Sequence, residues 1–189
     1  NRRPLSPPVS KLTHLSDIMD LCRETLETVD RAKLELLEKA ILSKRKIFIY
    51  GSGRSGLIGQ LFAVRLVQLG LDVHFVGEMT TPIIGHEDLT LLVSNTGNTS
   101  SVVQTAKIAH RIGSEVICIT GNDRSDLARA SDITIVMEIP CDERISKSAP
   151  LGTIFENSTL LLFDCVVCDL MEKENISEQD MRNRHAIWV

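Results

Sequence analysis

Two short loops rich in glycine, serine and threonine are the places where residue types and spacing could do chemistry. The first is Gly51-Ser-Gly-Arg-Ser-Gly56 and the second is Ser94-Asn-Thr-Gly-Asn-Thr-Ser-Ser101. Each follows a short apolar run and leads into a segment with helical periodicity. Backbone N–H groups, hydroxyls and helix N-termini all favour an anion. Together the loops predict a phosphate cradle and a phosphorylated small molecule as the ligand.

Other interpretations of these loops stay open at this stage. The first matches the dinucleotide fingerprint G-x-G-x-x-G, and Glu78 lies near the spacing expected for a ribose-binding acid. A P-loop is excluded because no G-K-[ST] follows, and the hydroxyl-rich second loop suits a monophosphate better than a dinucleotide. Either loop alone could be a tight turn with a helix cap, for example Thr99 or Asn98.

Bulk composition limits the class of protein. The chain has 189 residues, of which 43% are hydrophobic and only 4% aromatic, and this favours an aliphatic parallel sheet covered by helices. The net charge is -4 without a long basic block, so we expect no nucleic-acid partner. The most apolar stretch is too short to span a bilayer, so we expect no membrane partner.

The cysteines predict a reducing environment. Their number is odd, they are scattered, and no signal peptide is recognisable, so we expect a cytoplasmic protein without disulfides. Cys165 and Cys168 have the C-x-x-C spacing, but they lie within an apolar helical run and are expected to be buried.

Segments with strand-like and helix-like patterns alternate along the chain, and this alternation predicts where the two loops lie in the fold. We expect strands at 46–50, 72–76, 89–93, 115–119 and 132–137, and helices at 54–69, 98–112, 124–130 and 153–173. Strands that alternate with helices form a doubly wound, five-stranded parallel sheet flanked by helices, with ligands at the carboxyl ends of the strands. Two helices, broken near 28–30, precede it within 11–43, and Ser177 opens a last short helix.

The ends of the chain and one helix complete the organisation. Residues 1–9 contain three prolines and are expected to form a disordered arm before a single domain at 10–189.

The helix at 153–173 is apolar nearly all round, and such a helix must be covered on most sides. A subunit interface is the expected second cover, so we predict a homo-oligomer.

Several motifs together resemble the SIS (sugar isomerase) superfamily, and more narrowly the 6-phospho-3-hexuloisomerase family. They are the two loops, Glu78-x-x-Thr-Pro82, Ala149-Pro-Leu-Gly-Thr-Ile-Phe-Glu156 and the closing Arg184-His-Ala186. The resemblance runs from about residue 10 to 187. It implies a flavodoxin-like SIS domain that interconverts 3-hexulose 6-phosphate and fructose 6-phosphate in cytoplasmic homotetramers, with sites at subunit boundaries. No cofactor and no metal is expected.

The resemblance also implies roles for residues of the loops. The phosphate would be held by the hydroxyls of Ser52, Ser55, Ser94, Thr96 and Thr99. The backbone of Asn95 and Gly97 would lie nearby, and Arg54 would sit beside the sugar phosphate. Relatives usually read S-x-S-G-E-T in the second loop, whereas this chain has Asn98 in place of the glutamate. That change removes a carboxylate and bears on which sugar phosphate is bound.

Moving a carbonyl along a sugar requires a base that removes the adjacent proton and a group that shuttles protons between oxygens of a cis-enediolate. By the family pattern Glu156 is the base and His185 the acid or shuttle. Glu156 could instead close a capping box with Thr153, and His185 could be a solvated tail residue. Isomerisation of another sugar phosphate, such as a pentose phosphate, and a non-catalytic sugar-phosphate-binding module are the alternative functions.

Overall fold

A five-stranded parallel sheet is the centre of the structure, a computed structural model that describes residues 12–187. The arm predicted at 1–9 lies outside the described residues. The strand order is β2-β1-β3-β4-β5, which is the flavodoxin-like order. The strands are β1 (Ile47–Gly51), β2 (Val73–Phe75), β3 (Leu89–Ser94), β4 (Glu115–Thr120) and β5 (Ile133–Val136).

Burial explains why these segments form strands. The central strands carry aliphatic side chains on both faces, with Ile49, Leu91 and Ile117 on one face and Leu92 and Val116 on the other, and all five are fully buried. A parallel sheet covered by helices on both faces requires such continuous apolar runs. The predicted fold class is therefore confirmed, and each strand lies within two residues of its predicted bounds.

Eight helices surround the sheet within residues 12–187. They are α1 (Thr13–Glu27), α2 (Arg31–Ser43), α3 (Gly53–Gln68), α4 (Ser100–Ile112), α5 (Asp126–Arg129), α6 (Glu143–Ser148), α7 (Thr153–Glu174) and α8 (Glu178–Asn183). One apolar cluster joins α2, α3 and α7 to the sheet, and a second joins α4 and α5 to it. The first loop therefore leads into a helix on one face and the second loop into a helix on the other.

Local signals set most helix boundaries. The predicted break between the first two helices occurs where Asp30 accepts a hydrogen bond from the backbone N–H of Ala32 and caps α2. Ser177 and Asp180 form a capping box at the start of α8, as the sequence suggested. Helix α6 was not predicted, because it buries none of its residues and therefore has no apolar periodicity.

Helix α7 is buried along one side only within a single chain. It packs against α1 and α3, and Phe163 stacks on Phe62 with ring centroids 4.0 Å apart. The expectation that Cys165 and Cys168 are buried is wrong here, because both lie on the exposed side of this helix, as does Leu161. Between residues 12 and 187 no helix is long and apolar enough to cross a membrane.

Candidate active site

Both loops lie at the carboxyl edge of the sheet, at the ends of the neighbouring strands β1 and β3. Gly51 pairs with Val93 in this register. A Cβ atom on Gly51 would lie 2.9 Å from the backbone N of Gly56 and 2.9 Å from the Val93 carbonyl oxygen. Only glycine therefore lets the first loop turn back so tightly beside the neighbouring strand.

The helices that follow the loops begin without side-chain caps. Ser52 is the N-cap residue of α3 and Thr99 that of α4, and neither hydroxyl accepts a capping hydrogen bond from its helix. The Thr99 hydroxyl instead lies 3.3 Å from the Ser94 hydroxyl. Neither N-cap residue therefore caps its helix through its side chain, although the second loop does turn, with the Gly97 N–H donating to the Ser94 hydroxyl at 3.2 Å. Uncapped N–H groups at two helix starts, together with the helix dipoles, provide the electrostatics of an anion site.

The second loop is held against the first turn of α5. The backbone N–H of Leu127 donates to the Gly97 carbonyl at 2.9 Å, and that of Asp126 donates to Asn98 Oδ1 at 3.1 Å. Gly97 has φ of 65°, and a Cβ there would lie 2.1 Å from Ser125 Oγ. Asn98 thus anchors the loop to its neighbour and does not cap α4.

Glu156 and Arg54 form an ion pair that joins the first loop to α7. Arg54 Nε donates to Glu156 Oε2 at 2.5 Å. Glu156 is only 9% exposed, whereas the Arg54 side chain is 70% exposed. The capping-box interpretation of Glu156 does not hold, because Gly152 is the N-cap residue and the Thr153 hydroxyl donates to the Pro150 carbonyl.

These groups line one cavity of about 360 Å³, a volume within the range of small-molecule sites. Leu151 stands at its mouth, 99% exposed and with a left-handed backbone (φ 60°). The complete lining is Ser52, Arg54, Ser55, Pro150, Leu151, Gly152, Thr153 and Glu156. The sequence prediction did not name Pro150 to Gly152 as site residues, although the motif that contains Glu156 pointed to this segment.

Asn95 brings the second loop close to Gly152, which lines this cavity. Its Nδ2 atom lies 3.7 Å from the position that a Cβ atom on Gly152 would take. Both loops therefore lie on one edge of the sheet, with Asn95 near Glu156, although only the first loop contributes residues to the cavity lining.

His185 is not brought to Glu156 within a single chain. It lines a different cavity of about 630 Å³ together with Glu78 and Arg184, and its Nδ1 atom lies 2.9 Å from the Ala186 carbonyl oxygen. Its predicted role therefore requires a second copy of the chain. In the stretch from residue 12 to 187, no group of three or more His, Cys, Asp and Glu side chains could hold a metal ion.

Comparison with known proteins relates this arrangement to a family. The family model described as SIS domain matches residues 40–163, which include both loops and Glu156. The 3-hexulose-6-phosphate isomerase of Methanocaldococcus jannaschii is 40% identical over 82% of this chain and 83% of its own length. The protein of the same name from Bacillus subtilis is 32% identical over 92% of this chain and 96% of its own length.

One solved structure that is similar to this chain has been related to the same activity as these relatives. It is the crystal structure of a Methanococcus jannaschii protein for which a molecular function of 3-hexulose-6-phosphate isomerase was inferred. That chain is 34% identical, superposes with a TM-score of 0.83, and is matched over 92% of this chain and 99% of its own.

Proposed function

The chain belongs to the SIS-domain family, within its 3-hexulose-6-phosphate isomerase branch, and we propose that it interconverts 3-hexulose 6-phosphate and fructose 6-phosphate. The observation that carries the proposal is the cavity in which the nearly buried Glu156 carboxylate meets the first phosphate loop. A base and an anion cradle side by side are what isomerisation of a sugar phosphate requires.

The phosphate is assigned to the two loops. Ser52 and Ser55 offer hydroxyls from the start of α3, and Ser94, Thr96 and Thr99 offer them from the second loop. The backbone N–H groups at the uncapped helix starts add donors that no side chain has taken. Hydrogen bonds to a charged group contribute about 1.5–3 kcal/mol each. The loops bind the substrate and fix the position of the carbons that react.

Glu156 is assigned the proton transfer between carbons. Its Oε2 atom is held by Arg54, which leaves Oε1 to take the proton from C2 of 3-hexulose 6-phosphate. The electron pair of the C2–H bond forms the C2–C3 double bond, and the C3 carbonyl becomes an enediolate oxygen. Return of the proton to C3, with the carbonyl formed at C2, gives fructose 6-phosphate.

His185 of a neighbouring copy is assigned the proton transfer between the two oxygens. Imidazole is suited to this step because it can donate and accept a proton near neutral pH. The residue lies in a separate cavity of its own chain, so the proposal requires an oligomer in which the C-terminal segment of one copy reaches the Glu156 cavity of another.

Exposed apolar side chains support such an assembly. Helix α3 presents Leu57, Leu61 and Val64 on one stripe, and each is more than half exposed. Leu161 adds a further exposed apolar side chain on α7. Apolar stripes of this kind on a metabolic enzyme indicate a subunit interface. We assign a homotetramer to this protein. We also assign it to the cytoplasm, where the five cysteines would stay as free thiols.

A coupled assay tests this function. The protein is supplied with 3-hexulose 6-phosphate, and fructose 6-phosphate is measured through a coupling enzyme. The proposal predicts turnover that depends on the protein. Turnover of a pentose phosphate with no activity on the hexulose phosphate would contradict the substrate assignment. Binding of phosphosugars without turnover of any of them would indicate a sensor and not an enzyme.

A further inference from the structure

We propose that the side-chain amide of Asn95 is a catalytic residue, which donates a hydrogen bond to the oxygen that becomes negative in the enediolate. The inference rests on the proposed function. It goes further than that function, because the family pattern gives a role only to the backbone of Asn95, near the phosphate, and none to its side chain. Three features of the structure carry it.

The first feature is the fixed backbone of Asn95. It directly follows the last residue of β3, and its carbonyl oxygen accepts hydrogen bonds from the Thr120 hydroxyl at 3.2 Å and the Gly121 N–H at 2.9 Å. These two contacts tie residue 95 to the end of β4. The side chain therefore starts from a rigid position at the carboxyl edge of the sheet, as a catalytic group should.

The second feature is the pair of glycines that border the amide. A Cβ atom on Gly121 would lie 2.6 Å from Asn95 Oδ1, which is closer than such atoms can approach. A Cβ on Gly152 would lie 3.7 Å from Nδ2. The amide thus fills the space between the loop after β4 and the loop before α7, and the absence of a side chain at Gly121 makes this room.

The third feature is the position of the base relative to the amide. Glu156 Oε1 lies 3.0 Å from the same Cβ position on Gly152 that is 3.7 Å from Asn95 Nδ2. The amide and the free carboxylate oxygen therefore both lie close to one point beside Gly152, a residue that lines the cavity. Across residues 12–187, neither the Asn95 side chain nor Oε1 takes part in a hydrogen bond, whereas Oε2 is bound by Arg54.

The chemistry needs a donor at this point. As Glu156 removes the proton from C2, the C2–H electron pair forms the C2–C3 double bond and the C3 carbonyl oxygen takes up negative charge. An amide N–H beside the base, on a residue whose backbone is held, can donate to that oxygen, and it stays neutral throughout. Removing one donor of this kind lowers kcat by about 100- to 1,000-fold.

Kinetics of Asn95→Ala and Asn95→Asp test the inference. Aspartate keeps the size of the side chain but loses the N–H donor. Both variants should lower kcat by about 100-fold or more. In Asn95→Ala the KM should change by less than about threefold, since the donor acts mainly in the transition state, whereas in Asn95→Asp the added negative charge should also raise KM by repelling the phosphate. The exposed amide Gln104 on α4 provides the matched control, and Gln104→Ala should leave both constants unchanged. Thermal unfolding of each variant checks that it is folded.

Gly121→Ala tests the geometry without removing the amide. Its Cβ atom would displace Asn95 Oδ1, so kcat should fall in the same direction. A second readout is binding of a phosphosugar hydroxamate, whose planar group imitates the enediolate. Asn95→Ala should weaken binding of this analogue by the same factor as kcat, and leave binding of inorganic phosphate unchanged.

Two results would overturn the inference. One is an Asn95→Ala enzyme with the wild-type kcat, and the other is a rise in KM alone, which would mean that the side chain only binds the phosphate. Failure of the proposed function would look different, because the wild-type protein would then produce no fructose 6-phosphate.

Discussion

Arg54 Nε lies 2.5 Å from Glu156 Oε2, although the two residues are 102 positions apart in the chain. The pair connects the first phosphate loop to the helix that carries the proposed base. It fixes one carboxylate oxygen and leaves the other beside the cavity. Because the arginine is mostly exposed and the glutamate nearly buried, the pair orients the base more than it stabilises the fold.

Replacing Arg54 should therefore damage catalysis more than stability. Arg54→Ala frees the Glu156 carboxylate to rotate, and misplacement of a catalytic group by about 1 Å costs on the order of 100-fold in rate. We expect kcat/KM in the coupled assay to fall by about that factor, and Arg54→Lys to recover part of it. Arg111, an exposed arginine on α4, offers a control, and Arg111→Ala should behave like the wild type. An Arg54→Ala enzyme with unchanged kcat/KM would rule out the orienting role.

The hydroxyl groups of the two phosphate-binding loops should affect substrate binding, measured as KM, and not turnover, measured as kcat. Ser55→Ala removes one proposed hydrogen bond to the phosphate, which is worth about 1.5–3 kcal/mol, so KM should rise by about 10- to 100-fold with little change in kcat. Ser146→Ala, on the exposed helix α6, is the matched control. If the Ser55 variant lost kcat at an unchanged KM, the phosphate would have to be assigned elsewhere.

Two substitutions of Asn98 distinguish the effect of loop anchoring on KM from the effect of charge. Asn98→Ala removes the acceptor of the Asp126 N–H, so the loop should loosen and KM should rise at any salt concentration. Asn98→Asp keeps this acceptor and adds a negative charge near the phosphate. Its KM should rise at low ionic strength and recover at high ionic strength, because salt screens exposed charges beyond about 10 Å at 0.1 M. Equal KM values for Asn98→Asp at both ionic strengths would contradict this explanation.

Mixed oligomers test whether His185 acts across a subunit boundary. Glu156→Gln and His185→Ala are each expected to be inactive. If every site takes Glu156 from one copy and His185 from another, co-expression of the two variants should restore about a quarter of the sites. Activity that does not exceed the sum of the separate variants would show that the two residues do not cooperate across subunits.

The sheet and the loops could be predicted because their signals are local. Strands such as Leu89–Ser94 are mainly aliphatic and wholly buried, and glycine-containing turns follow β1 and β3 directly. The topology then places both turns on one edge. Glu156 could be selected only through its motif, since its spacing from Thr153 fits a capping box equally well. The structure excludes the capping box, because Gly152 is the N-cap residue and the carboxylate meets Arg54.

Features that depend on distant residues could not be predicted in this way. The Asn95 amide lies between Gly121 and Gly152, which belong to two other loops, and its backbone is held by Thr120 at the end of β4. Its sequence neighbours suggest only a phosphate-binding backbone. The exposure of Cys165 was missed because a helix that is apolar nearly all round gives no sign of which side the chain itself covers.

The most direct measurement is a comparison of turnover and binding in Glu156→Gln. Glutamine keeps the size of the side chain and its acceptor for Arg54, but it cannot accept the substrate proton. We predict that fructose 6-phosphate formation falls to the background rate while fructose 6-phosphate still binds with near wild-type affinity by calorimetry. A Glu156→Gln protein that isomerises 3-hexulose 6-phosphate at the wild-type rate would contradict it.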